Sequence, residues 1–112
     1  GKEFFISYED KKNNIILGFC RLRFPSQSLR KEITEKTAII REVHVYGPAA
    51  KIGGEGKVQH KGLGKQLIQK AEEIARKNKK EKVVIIAGVG VRQYFIEKLG
   101  YQKDGPYVSK IL

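Results

Sequence analysis

Cysteine is nearly missing: Cys20 is the only one in 112 residues. A single thiol forms no internal disulfide and no thiolate metal cluster, so disulfide scaffolds, zinc ribbons and iron–sulfur sites built from this chain alone are excluded. A reducing, cytoplasmic setting is the expectation. No run of 18 apolar residues occurs, which excludes a membrane-spanning helix and leaves no expectation of a signal peptide. An initiating methionine is also lacking, since Gly1-Lys2 leads straight into a hydrophobic run. The chain is therefore expected to be one domain, residues 1–112, cut from a longer protein. Acidic residues are in short supply, 12 against 23 Lys and Arg, for a formal net charge of +11. Polyanions become favoured partners, although a lysine-rich solvated surface explains the same composition equally well.

What is present is mostly periodic. Phe4 to Tyr8 and Ile15 to Phe24 read as an antiparallel hairpin about the polar turn EDKKNN. Cys20, Leu22 and Phe24 share one face of its second strand, and Phe19, Arg21 and Arg23 the other. Pro25 ends that strand, and residues up to Lys36 form a loop or short turn. Thr37 to Tyr46 is a third strand, with Ile39, Val43 and Val45 expected on one face and Ile40, Glu42, His44 and Tyr46 on the other. A glycine-rich loop, Gly47 to Lys61, precedes an amphipathic helix running from Gly62 to about Asn78, whose apolar stripe includes Leu63, Leu67, Ile68, Ala71 and Ala75. Glu72 and Glu73 read as surface charges on that helix. Val83 to Ala87 suits a strand buried on both faces, giving a parallel β-α-β unit. Gly88 and Gly90 should break the chain before a short helix over Arg92 to Leu99, and Tyr101 to Leu112 forms a terminal hairpin turning at Asp104-Gly105-Pro106. Tyr101 and Tyr107 are expected to pack within it.

Chemistry concentrates at Gln59-His60-Lys61-Gly62-Leu63-Gly64, where the loop enters the helix. A helix start presents unpaired N–H groups and a positive dipole end, and glycine lets an anion reach that backbone. No P-loop spacing exists here, because Gly64-Lys65 continues with Gln66. A dinucleotide fold is excluded too, because Gly62 lies 16 residues past Tyr46 rather than in a tight turn. Gln59-x-x-Gly62-x-Gly64 instead resembles the acyl-CoA signature of the GNAT acetyltransferases, Gln/Arg-x-x-Gly-x-Gly/Ala. Glu42 and His44, on one side of their strand, have residue types suited to general-base work, and a purely backbone role is the alternative.

A more specific resemblance lies in REVHVYG (Arg41 to Gly47), QHKGLGKQL (Gln59 to Leu67), AEEIAR (Ala71 to Arg76), GVGVR (Gly88 to Arg92), KLGY (Lys98 to Tyr101) and DGPYVSKIL (Asp104 to Leu112). These are similar to the C-terminal acetyltransferase domain of Elongator catalytic subunits, archaeal-type members included. The resemblance implies a GNAT-like mixed sheet with a central β-α-β unit and a C-terminal hairpin. It also implies acetyl-CoA lying in a splay between the third strand and Val83 to Ala87. Backbone groups around Glu42, Val43, His44 and Val45 would take the pantetheine arm, and the amides of Gly62, Leu63, Gly64 and Lys65 the diphosphate, with Gln59, His60 and Lys61 in the adjoining loop. A family tyrosine that protonates the departing thiolate falls on Tyr94, beside Phe95, when counted from Gly90. Counted back from Gly100, the pair falls on Phe95 and Ile96, as though one residue were inserted. The resemblance implies tRNA wobble uridine as acceptor, protein lysine acetylation being the second reading and a non-catalytic RNA-binding module the third. An upstream radical domain using S-adenosylmethionine and an iron–sulfur cluster is implied for the full-length parent. No metal site is expected in this chain. Helices that usually flank a GNAT acceptor groove have no counterpart before Thr37.

Overall fold

In the computed structural model, residues 1–46, 62–86 and 89–112 are described. Strands β1 (Lys2–Asp10), β2 (Ile15–Phe24) and β3 (Thr37–Val45) lead to helix α1 (Leu63–Lys77) and strand β4 (Lys82–Ile85). Helix α2 (Val89–Lys98), β5 (Gln102–Asp104) and β6 (Tyr107–Ile111) follow, in the order of the described residues. The strands form one mixed sheet ordered β1-β2-β3-β4-β6-β5. Among the described strands only β3 and β4 run parallel, as the helical crossover between them requires. No helix among the described residues is long and apolar enough to cross a membrane.

Local chemistry explains the boundaries. The β1–β2 turn is held by Asp10, whose carboxylate accepts from the Asn13 backbone and side chain at 3.2 and 2.8 Å, and Asn14 takes the left-handed φ of 57° that closes it. At its C-terminus α1 is stopped by Asn78, whose amide donates to the Ile74 carbonyl at 2.8 Å, and by Lys79 at φ 60°. Gly105, φ 61°, makes the β5–β6 turn, and the adjacent Asp104 accepts from Lys82 Nζ at 2.7 Å and Ser109 Oγ at 2.9 Å. Gly90 does not break the chain as its identity suggests; it sits in the first turn of α2. A glycine costs a helix only about 1 kcal/mol, and packing beyond it recovers that.

The main core lies between the sheet and α1. Cys20, Leu22, Ala38 and Ile40 meet Leu67, Ile68, Ala71 and Ala75 there, joined by Phe95 and Tyr101. Burial pushes the Cys20 thiol up to about 12. A thiol reagent at mildly alkaline pH is therefore expected to leave Cys20 unreacted in the native chain and to label it in urea. Labelling of native protein at the free-thiol rate would place Cys20 outside the core.

Three sequence readings need correction. Arg21 pairs with Glu42 and Leu22 with Ile40, so Arg41 is an extra residue, a β-bulge. The bulge resets the alternation: Ile40 and Val43 both join the α1-side core, while Ile39 packs on the far face with Ile33 and Val84. Period-two counting had Ile39 with Val43 because it assumes an unbroken strand. The second correction concerns Glu72, which is buried rather than solvated: Tyr101 donates to it at 2.7 Å and Lys110 Nζ lies 3.4 Å away. Helical periodicity alone could not reveal that the C-terminal strands cover this flank of α1. Ile86 also departs from the doubly buried strand expected of Val83 to Ala87, being half exposed just past β4.

Candidate functional site

Hydrogen bonding between β3 and β4 runs from Thr37 opposite Lys82 to Ile40 opposite Ile85 and ends with the Ile86 amide on the Ile40 carbonyl at 3.2 Å. Beyond that point β3 continues to Val45, paired on its other edge with β2. Tyr46 donates to the Leu17 carbonyl at 3.0 Å. Counting back by twos, His44 and Glu42 also turn their backbone groups to β2, which leaves those of Val43 and Val45 on the edge that has left β4. A cleft of about 320 Å³ opens there. Ile40, Val43, Ile68 and Ile85 make it apolar, Gly64 borders it from α1, and Tyr94 and Phe95 close it from α2.

Helix α1 enters this cleft without a cap. Gly62 holds the left-handed turn at φ 84°, and among the described residues no side chain caps the first amides and no acid occupies the first turn. Lys65 is exposed beside them. No described carboxylate neutralises the positive end of the helix dipole, a setting that favours an anion. Among the described residues, a Cβ on Gly64 would meet only Val45 Cγ2, at an ordinary 3.5 Å. Packing thus does not demand glycine here; what glycine provides is bare backbone facing the cleft.

The sequence-derived residues divide. Glu42, Val43, Gly64, Tyr94 and Phe95 line one cleft. Gly62 and Lys65 stand at the helix start beside it, Val45 touches the Gly64 position, and Leu63 is a core residue. Gln59, His60 and Lys61 lie outside the described residues. His44 is not brought to the cleft. Its ring stacks on Phe19 at 5.3 Å on the face away from α1, and its Nε2 lies 3.0 Å from Glu42 Oε2. Glu42 also accepts from Arg21 at 3.3 Å, and Arg21 reaches on to Glu3. Arg23 and then Arg21 hold the Glu3 carboxyl below its ordinary range. Tyr94 is 44% exposed, its ring edge-on to Phe95 at 5.8 Å, and its hydroxyl has no hydrogen-bond partner among the described residues. Tyr101 offers no competing proton: burial first, then its bond to Glu72, raises its phenol far above the ordinary value, and it lies in the core. The sequence reading missed Ile40, Arg41, Ile68, Ile85 and Ile86, whose only signal was an apolar or basic residue near the splay. No cluster of His, Cys, Asp or Glu fit to hold a metal exists among the described residues.

A profile of the acetyltransferase (GNAT) family matches residues 1–101. A "tRNA uridine(34) acetyltransferase" of Methanocaldococcus jannaschii is 45% identical over 116 aligned positions, covering 100% of this chain and 21% of that protein. "Elongator complex protein 3" of Saccharomyces cerevisiae is 47% identical, covering 98% of this chain and 21% of that protein. An archaeal Elp3 from Methanocaldococcus infernus, solved with its N-terminus deleted, superposes with a TM-score of 0.84 at 42% identity, covering 98% of this chain and 26% of the other. The chain thus spans about a fifth of the length of the curated relatives it matches.

Proposed function

The chain belongs to the acetyltransferase (GNAT) family, and from that premise we propose that its cleft binds acetyl-CoA and opens the thioester for carboxymethyl-type modification of a tRNA wobble uridine. The observation that carries this reading is the splay of β3 from β4 directly beside an uncapped helix start. An extended pantetheine arm fits the Val43 and Val45 backbone edge as an added strand would. The diphosphate fits the amides of Leu63, Gly64 and Lys65, with Gln59, His60 and Lys61 adjoining. Tyr94, the cleft's own hydroxyl, donates the proton that the departing thiolate needs. Glu42 acts by holding Arg21 and His44 in place, and His44 takes no part at the thioester. In the longer protein, an upstream radical domain with S-adenosylmethionine and an iron–sulfur cluster supplies the uridine chemistry, in the cytoplasm.

Calorimetry of this chain with acetyl-CoA should give micromolar binding, and tRNA should stimulate release of free CoA thiol. Absence of acetyl-CoA binding overturns the reading. Tyr94→Phe should leave acetyl-CoA affinity unchanged and lower thiol release by about 100-fold, the usual range for a lost general acid. Undiminished release in that variant assigns the proton elsewhere.

A further inference from the structure

Tyr101 is buried in the core and bonds to both helices that border the cleft. Its hydroxyl donates to Glu72 Oε2 on α1 at 2.7 Å. Its amide donates to the Phe95 carbonyl on α2 at 3.1 Å, beside the Leu99 amide on the same oxygen at 3.2 Å, a closure that Gly100 permits at φ 80°. Its ring stands edge-on to Phe95 at 5.5 Å, and Phe95 stands edge-on to Tyr94 at 5.8 Å. Lys110 Nζ lies 5.8 Å from the centre of the Tyr101 ring and 3.4 Å from Glu72 Oε1, which ties β6 to the same pair.

Glu72, Tyr101, Phe95 and Tyr94 thus form a continuous path of contacts from the middle of α1 to the cleft. Gly64 and Ile68 of α1 and Tyr94 and Phe95 of α2 all line that cleft, so a side chain bound to both helices fixes the spacing of its walls. We propose that Tyr101 is a positioning residue: through its hydroxyl on Glu72 it holds α2 against α1 and so sets where Tyr94 and Phe95 stand in the cleft. The consequence for turnover rests on the acetyl-CoA reading of the cleft; the placement of α2 belongs to the fold. Edge-on ring contacts are weak singly and tolerate sliding, whereas a short buried hydrogen bond to a carboxylate is strong and directional. Phenylalanine at position 101 keeps the ring and the bond to the Phe95 carbonyl and loses the bond to α1. Tyr94 has no hydrogen bond of its own among the described residues, so its aim depends on where α2 lies.

The test compares Tyr101→Phe with Ile33→Val, a trim of the far-face core that costs the fold a similar amount. Amide hydrogen exchange in Tyr101→Phe should quicken over α2 about tenfold more than over α1, and in Ile33→Val evenly over both. Thiol release from acetyl-CoA in the presence of tRNA should fall about tenfold in Tyr101→Phe, a fraction of the roughly 100-fold that a displacement of about 1 Å costs. Its acetyl-CoA affinity, by calorimetry, should stay within about threefold of the parent chain, because the backbone groups of β3 and the start of α1 are untouched. Ile33→Val should hold both quantities within about twofold. In a Tyr94→Phe background the Tyr101→Phe change should cost less than about twofold, since the group it aims is already gone. The proposal is overturned by even quickening of exchange in Tyr101→Phe, by equal turnover losses in Tyr101→Phe and Ile33→Val, or by a tenfold loss that persists without the Tyr94 hydroxyl. Absent acetyl-CoA binding in the parent chain overturns the cofactor reading instead, and the exchange comparison then decides the placement of α2 by itself.

Discussion

Gly64→Glu should lower acetyl-CoA affinity at least about 100-fold, close to 3 kcal/mol, while making the fold no less stable. The two halves of that expectation have separate causes. Stability is preserved because the position is helical, the new Cβ meets only Val45 Cγ2, at 3.5 Å, among the described residues, and glycine is the poorer helix former by several tenths of a kcal/mol. A carboxylate in a first turn that now has none also gains from the helix dipole. Binding is lost for the same electrostatic reason: the side chain occupies the bare backbone and its charge replaces the ligand's. Gly64→Gln separates bulk from charge and should bind at least about threefold better than the glutamate, as expected when a like charge is removed. Calorimetry and thermal melting on the same samples check both halves. Unchanged acetyl-CoA affinity in Gly64→Glu would remove α1 from the site.

Glu72→Ala should destabilise the domain by about 3 kcal/mol, the ordinary cost of breaking a buried charge pair. The carboxylate is almost wholly buried, and its two oxygens serve Tyr101 Oη at 2.7 Å and Lys110 Nζ at 3.4 and 3.5 Å. Truncation leaves a phenol without its acceptor in the core and a lysine without its counter-charge at the edge. Urea unfolding measures the loss; under about 1 kcal/mol would mean that water or a neighbour replaces the acid. Burial of Tyr101, and after it the bond to Glu72, sets an alkaline limit. Tyr101 has its folded-state titration raised above the ordinary 10.0, so its contribution is complete below that pH and is lost as the pH rises past it, because the unfolded phenol ionises and the folded one does not. Tyr101→Phe removes this group's share of the decline above pH 10, at a cost in stability near neutrality.

Repeating chemistry was legible in the chain. The alternation of Cys20, Leu22 and Phe24, the stripe from Leu63 to Ala75, and the turn at Asp104-Gly105-Pro106 each depend on a few neighbouring residues, and each lies where its pattern placed it. Gly62 and Gly64 likewise announced an open helix start, since a left-handed turn and a bare backbone are properties of glycine itself. The residues that complete the cleft were not legible as site residues. Ile40, Arg41, Ile68 and Ile85 stand on three elements with no shared local pattern, and only the folded sheet and helix bring them around one cleft.

By itself the sequence determined the order of elements, the family signature and the excess of positive charge, because these follow from residue type and local spacing. Only the tertiary structure decided which face each side chain of β3 serves, because one extra residue at Arg41 reverses the alternation and is visible only against β2. Pairing across the sheet likewise sent His44 to Phe19 and away from the cleft, and the terminal strands buried Glu72. Contacts between residues far apart in the chain fix these outcomes, and no periodicity within one segment encodes them.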